Sequence, residues 1–233
     1  MAWQLELEGA AQADTRNVAE AQRAFMAGVY RWMFLALAVT GGTAIYTVSN
    51  PALLGFALRN YLFLTLGSLG LVMVLSFLAH KVSGAVAAAM FVGYSVLLGM
   101  TLSTIFLVYQ LGSIGQAFFV TGGVFAAMSV YGTVTKKDLT SWSSFLFMGL
   151  IGVVIAGVVN IFMRSDFMGF VIACASVVVF TGLTAYDTQK LRAMHAASGY
   201  SSAMSLSIVG ALTLYLDFVN LFLALLRLFG RRR

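Results

Sequence analysis

The chain has 233 residues, of which 61% are hydrophobic and only 9% charged, with a formal net charge of +6. Ordinary soluble domains carry about 25% charged residues, so most of this surface cannot face water and its solvent is lipid. Soluble disorder is excluded. Nucleic acid is not expected as a partner, because the basic residues sit in short loops and at the C-terminus rather than on one face. Membrane lipids, through their anionic headgroups, suit them better.

Residues 1–25 are polar and mixed in charge, with Glu6, Glu8, Asp14, Arg16 and Glu20. No charged stretch leads into a short apolar core, so no cleaved signal is expected and the first apolar helix directs insertion. Apolar runs long enough to cross about 30 Å of hydrocarbon then follow at 28–48, 61–79, 84–109, 114–134, 143–163, 167–189 and 204–228. Short breaks separate them: Ser49-Asn50-Pro51, His80-Lys81, Gln110 to Ser113, Lys136-Lys137-Asp138, Arg164-Ser165-Asp166 and Ser198 to Ser202. The runs are continuous rather than alternating, which predicts helices and not barrel strands. The expectation is an all-α, seven-transmembrane-helix bundle over 26–229, with a basic tail at 230–233. Cys174 lies within an apolar run and reads as core.

A cytosolic N-terminus places Arg16, Arg23, Arg31, Lys81, Lys136, Lys137, Lys190 and Arg192 inside the cell membrane, and Arg59 and Arg164 outside. Arg227 and Arg231-Arg232-Arg233 also favour the cytosol, which would require the last segment to re-enter. The side of the C-terminus stays open on this count.

Of the eight acidic residues, four lie in the N-terminal segment, Asp138 and Asp166 lie in loops, and Asp187 and Asp217 fall within apolar runs. An ionisable group in such a place costs several kcal/mol unless it is paired, hydrated or protonated, which marks it as functional by default. If the last two runs form an antiparallel hairpin, residues equally far from the turn share a depth. The midpoint of 187 and 217 is 202, at the end of the Gly199-Tyr200-Ser201-Ser202 turn signal. Gly210, Thr213, Asp217, Asn220 and Ala224 form one small, polar stripe at helical spacing, and Ala173, Ser176, Thr184 and Asp187 lie on a similar face. Two carboxyls in contact in a low dielectric would share one proton and titrate as a coupled pair. Ionised, they offer oxygens to a hard cation such as Ca²⁺, but fall short of a full cage of six to eight, which suits weak, transient binding. The plainer alternative is that each Asp hydrogen-bonds a neighbouring helix, through Asn160, Tyr186 or Tyr215.

At these residues the chain resembles the Bax inhibitor-1 family, also called the transmembrane Bax inhibitor motif family. The matching stretches are Thr184-Ala185-Tyr186-Asp187-Thr188-Gln189, Ala211 to Phe222 with Leu225-Leu226-Arg227, Gly99-Met100-Thr101-Leu102-Ser103 with Ile105-Phe106, and Thr135-Lys136-Lys137-Asp138-Leu139. The likeness runs from about Ala24. It implies seven helices with the C-terminal helix central and wrapped by the other six. It implies a pH-sensitive calcium leak in which Asp187 and Asp217 sense protons, with Ca²⁺ as the transported ion and no cofactor. It also implies a basic latch at the end of the second helix. An arginine in a bacterial relative falls here on Lys81, beside His80, and a lysine lacks the bidentate fork of a guanidinium.

Three other readings compete. Tyr186-Asp187 with an acid on the next helix resembles the paired acids of presenilin-like proteases, but Leu214-Tyr215-Leu216-Asp217 lacks their glycines and Pro51 is the single proline. Enzyme activity is not expected. An interaction protein that restrains a membrane protease or another membrane protein would not need the two acids. Proton-coupled transport would call for paired Gly/Pro breaks at the midplane, which the sequence does not display.

Overall fold

The computed structural model describes residues 2–78, 81–194 and 202–233, with side chains from residue 18 onward. In chain order the helices are α1 (Ala2–Ser49), α2 (Pro51–Arg59), α3 (Tyr61–Leu78), α4 (Gly84–Leu102), α5 (Ile105–Val108), α6 (Leu111–Val134), α7 (Ser143–Met163), α8 (Asp166–Met194) and α9 (Ala203–Phe229), with a 3-10 turn at Leu139–Trp142. Among the described residues, seven stretches are long and apolar enough to cross a bilayer, in the order the sequence predicts. The chain is an all-α, multi-pass membrane bundle.

The boundaries differ in three informative places. Helix α1 reaches back through the polar segment to Ala2, because Ala, Glu, Gln and Leu favour helix whether or not lipid surrounds them. Helix α8 continues past the apolar run through Lys190 and Arg192 to Met194. The Asn50-Pro51 break starts a helix: Asn50 Oδ1 accepts from the amides of Ala52 (3.0 Å) and Leu53 (3.3 Å), and Pro51 stands where a missing N–H costs nothing. His80 lies outside the described residues.

Helix α9 is the core of the bundle. Of its most apolar window 72% is buried inside the protein, against 11–39% for the other spans. Helices α1, α4, α6 and α8 form its main wall, while α3 packs chiefly on α4 and α7 on α8. Leu146 of α7 also joins the apolar cluster of Leu221 and Leu225 on α9. The most apolar span, α7, is also the least buried at 11%. In a bilayer apolarity marks lipid contact, and small or polar side chains mark helix contact.

Tyr215 ties three helices together. Its hydroxyl lies 2.6 Å from Thr40 Oγ1 on α1, and Thr40 Oγ1 lies 3.1 Å from the Ser95 carbonyl of α4. Phe91 and Tyr94 of α4 meet its ring edge-on at 5.5 and 5.8 Å. One turn on, Phe218 meets Phe118 and Phe125 of α6 the same way. Near its far end the third span bends at Ser103-Thr104, where Ser103 Oγ donates to the Met100 carbonyl (2.7 Å) and Thr104 Oγ1 to that of Thr101 (2.9 Å). Side-chain donors of this kind satisfy carbonyls that lipid cannot.

The contacts of the connecting segments sort them onto two faces. On the first, Gln22 of α1 meets Arg192 of α8, and Ser205 of α9 donates to the Val82 carbonyl (3.1 Å). On the second, residues 231–233 pair with the α5–α6 connection: Gln110 N–H donates to the Arg231 carbonyl (3.0 Å) and Arg233 N–H to that of Val108 (2.9 Å). At 27 residues, about 40 Å long, α9 crosses fully instead of re-entering, so residues 230–233 lie on the face opposite Gln22.

Helix crossings are closest where glycine removes a Cβ. A Cβ on Gly132 would stand 2.3 Å from the Ala185 carbonyl oxygen of α8, and one on Gly99 would stand 2.6 Å from the Thr40 carbonyl oxygen. A Cβ on Gly122 would meet nothing within 4 Å. Gly132→Leu is therefore expected to destabilise the detergent-solubilised protein by about 1–3 kcal/mol or more, as overpacking does, and Gly122→Leu to leave it unchanged; thermal melts followed by size-exclusion recovery measure both.

Candidate functional site

Helices α8 and α9 pack along one another and bring together the two acids of the apolar runs. Asp187 is 9% exposed and Asp217 4%. Their carboxyl groups are within hydrogen-bonding reach of each other. Asp217 Oδ2 is fully buried and accepts no hydrogen bond from the described residues. A buried acceptor of that kind calls for a proton or a cation, since an unpaired one costs more than the pair returns.

Both acids line a cavity of about 560 Å³ between α7, α8 and α9. Thr213 and Asn220 line it too, so most of the polar stripe on α9 faces this space rather than lipid. Thr213 Oγ1 and Asn220 Nδ2 donate back to the carbonyls of Val209 (3.1 Å) and Leu216 (2.8 Å). Tyr186, Ser143 and Ser144 complete the polar lining. Among the described residues no third His, Cys, Asp or Glu joins the pair, so the protein offers two carboxylates rather than a metal cage.

Lys190 is the cation of the cavity. It follows Asp187 by one turn, lines the same space, and its Nζ lies 5.7 Å from the centre of the Tyr186 ring. Lys81 is exposed. Its neighbour Val82 accepts from Ser205, which precedes Asp217 by twelve residues, or about 18 Å of helix. The arrangement thus brings Lys190, and not Lys81, to the pair. Asn160 is likewise elsewhere: its Oδ1 accepts from the Ser165 amide (3.1 Å) at the far end of α7, where Arg164 turns left-handed at φ 52°.

Around the first-face end of the cavity, two of the motif stretches meet. Gln189 clips the α6–α7 connection by accepting from the Leu139 amide (2.8 Å) and donating to the Lys137 carbonyl (2.9 Å). Asp138 caps the following 3-10 turn through the Thr140 amide (2.8 Å), and hydrogen bonds from Thr140 hold its carboxyl below the usual range. A depressed carboxyl stabilises the fold above its unfolded value and ceases to do so as pH falls through the folded one, so this cap is present at neutral pH. Arg192 reaches the Thr133 carbonyl at the end of α6, where helix carbonyls need donors.

Sequence reasoning did not single out these contacts. The spacing of Asp187 and Lys190 is legible in the chain, whereas Gln22 with Arg192 and Gln189 with Leu139 join residues 170 and 50 positions apart. Gln189→Ala should release the connection and speed amide exchange at Leu139 without altering helix content, as hydrogen–deuterium exchange would register.

Known proteins are similar over nearly the whole chain. The family profile described as "Inhibitor of apoptosis-promoting Bax1" matches residues 22–233. The inner membrane protein YbhL of Escherichia coli (strain K12) is 46% identical over 215 residues, covering 90% of this chain and 92% of that protein. An uncharacterized protein of Deinococcus radiodurans is 45% identical over 212 residues, covering 90% and 91%. A match that spans all seven membrane helices and both acids establishes that the chain belongs to the Bax inhibitor-1 family.

Proposed function

We propose that this protein is a passive, pH-sensitive calcium leak whose pathway runs through the cavity beside Asp187 and Asp217. The observation that carries the reading is two buried carboxyls in contact on the wall of a cavity, one of them with an oxygen that no donor satisfies. With one proton between them the pair is a hydrogen-bonded clasp between α8 and α9. With none it carries two negative charges, repels itself and attracts a hard cation. Thr213, Asn220, Ser143 and Ser144 add neutral oxygens around the same space. Two carboxylates make a weak site, which favours passage over storage. The reading agrees with what the family resemblance implies.

Lys190 supplies the countercharge in this arrangement. It compensates Asp187 from one turn away and competes with an entering cation for it. The face carrying Gln22, Lys81, Lys136, Lys137, Lys190 and Arg192 is cytosolic in this reading, by the excess of Lys and Arg in its short connections. The cavity, with Ser143 and Ser144 at the start of α7, then lies towards the cytosol.

Calcium flux into liposomes carrying the full-length protein, followed from mildly acidic to mildly alkaline pH, tests this directly. Asp187→Asn and Asp217→Asn are expected to flatten the pH profile. Lys190→Gln is expected to shift it and raise the flux several-fold, and Lys81→Gln to leave it unchanged. Equal flux in empty and protein-loaded vesicles would remove the leak and leave the family's other reading, restraint of a membrane partner.

A further inference from the structure

A second cavity lies on the other side of α9 from the acids. It measures about 330 Å³, within the range of small-ligand pockets, and its walls come from α1, α4, α5, α6 and α9. Its lining is almost wholly apolar, with Ile105, Leu111, Ile114 and Phe222 among its residues. Two glycines open it, Gly41 of α1 and Gly115 of α6, and a Cβ on either would meet nothing within 4 Å. The lining residues belong to the half of the bundle that ends at residues 230–233.

At the rim of that half, three consecutive arginines are held in place by backbone. Arg231 and Arg233 bond to Gln110 and Val108, Arg231 N–H donates to Ser113 Oγ (3.1 Å), and Arg232 bridges to Tyr109. These anchors alternate in sequence with the groove residues Ile105, Leu111 and Ile114. Arg232 lies 3.9 Å from Asp166. Among the described residues neither Arg231 nor Arg233 has an ion-pair partner. The backbone contacts hold three exposed like charges close together against the one carboxylate of Asp166, a local excess of positive charge that attracts anions.

We propose that this groove and its arginine rim form a binding site for an anionic phospholipid, with an acyl chain between Gly41 and Gly115 and the phosphate on Arg231 and Arg233. Guanidinium groups bind phosphate oxygens through paired hydrogen bonds, and an apolar groove ending at a basic rim matches a lipid in both chemistry and polarity. A free phosphate would use the rim alone. The site is independent of the calcium reading.

The test is native mass spectrometry of the full-length protein titrated with phosphatidylglycerol or phosphatidylcholine of identical acyl chains, and with inorganic phosphate. Phosphatidylglycerol is expected to bind about tenfold more tightly than phosphatidylcholine. That preference should vanish in the double variant Arg231→Gln, Arg233→Gln, and total lipid retention should fall in Gly41→Leu and Gly115→Leu. Unchanged melting curves identify the glycine variants as folded, since the added side chains project into open space. Equal binding of the two lipids, or retention unaffected by the glycine variants, overturns the proposal. Displacement of phosphatidylglycerol by inorganic phosphate overturns it too, by assigning the rim to a free anion.

Discussion

A bilayer gives no hydrogen bonds to a buried polar group, and that constraint organises the whole molecule. A polar side chain in the membrane interior has to find its partner in the protein, so buried Ser, Thr and Asp residues sit at the helix contacts of α1, α4, α6, α8 and α9 while large apolar side chains face outward. Thr40, Ser95 and Tyr215 meet one another, and the hydroxyls of Ser103 and Thr104 serve carbonyls of their own helix. Within the described residues this accounting stays open at Ser129 Oγ, Thr181 Oγ1 and Asp217 Oδ2, and of these Asp217 alone is ionisable. An ionised group at such depth costs about 2.5–3.5 kcal/mol on insertion scales, and it persists here next to a second carboxyl and a cavity.

Much of the architecture was legible because lipid makes the code simple. Seven long apolar runs can only be helices, and the meeting of Asp187 with Asp217 was expected from their equal separation in sequence from Ser202; the turn signal at 199–201 lies outside the described residues. The family motifs pointed to the same pair. The start of α1 was not legible from hydropathy, which reports lipid contact and is silent about a polar helix continuing outside the bilayer. Nor was the end of α8, where Lys190 closes the apolar run but not the helix. The charge count left the end of the chain open, and it is the backbone pairing of Arg231 and Arg233 with Gln110 and Val108 that fixes where residues 231–233 sit in the bundle.

The site itself was only half legible. Asp187, Asp217, Thr213, Asn220 and Tyr186 converge on one cavity. Asn160 and Lys81 belong elsewhere, and no spacing rule could reveal that, since their placement depends on which loop meets which helix end. Lys190 was visible as a positive charge in a loop count. Its place beside Asp187 follows from the continuation of α8 as helix beyond the acid.

If the two carboxyls share a proton, their titrations belong to the pair and not to either residue. Infrared difference spectroscopy of the reconstituted protein, following the carboxylic-acid carbonyl band through a pH series, reads this directly. Coupling predicts two separated steps in the wild type and, in each of Asp187→Asn and Asp217→Asn, a single step at neither wild-type midpoint. Two independent steps, each surviving unshifted when the other acid is replaced, would contradict a shared proton and with it the switch.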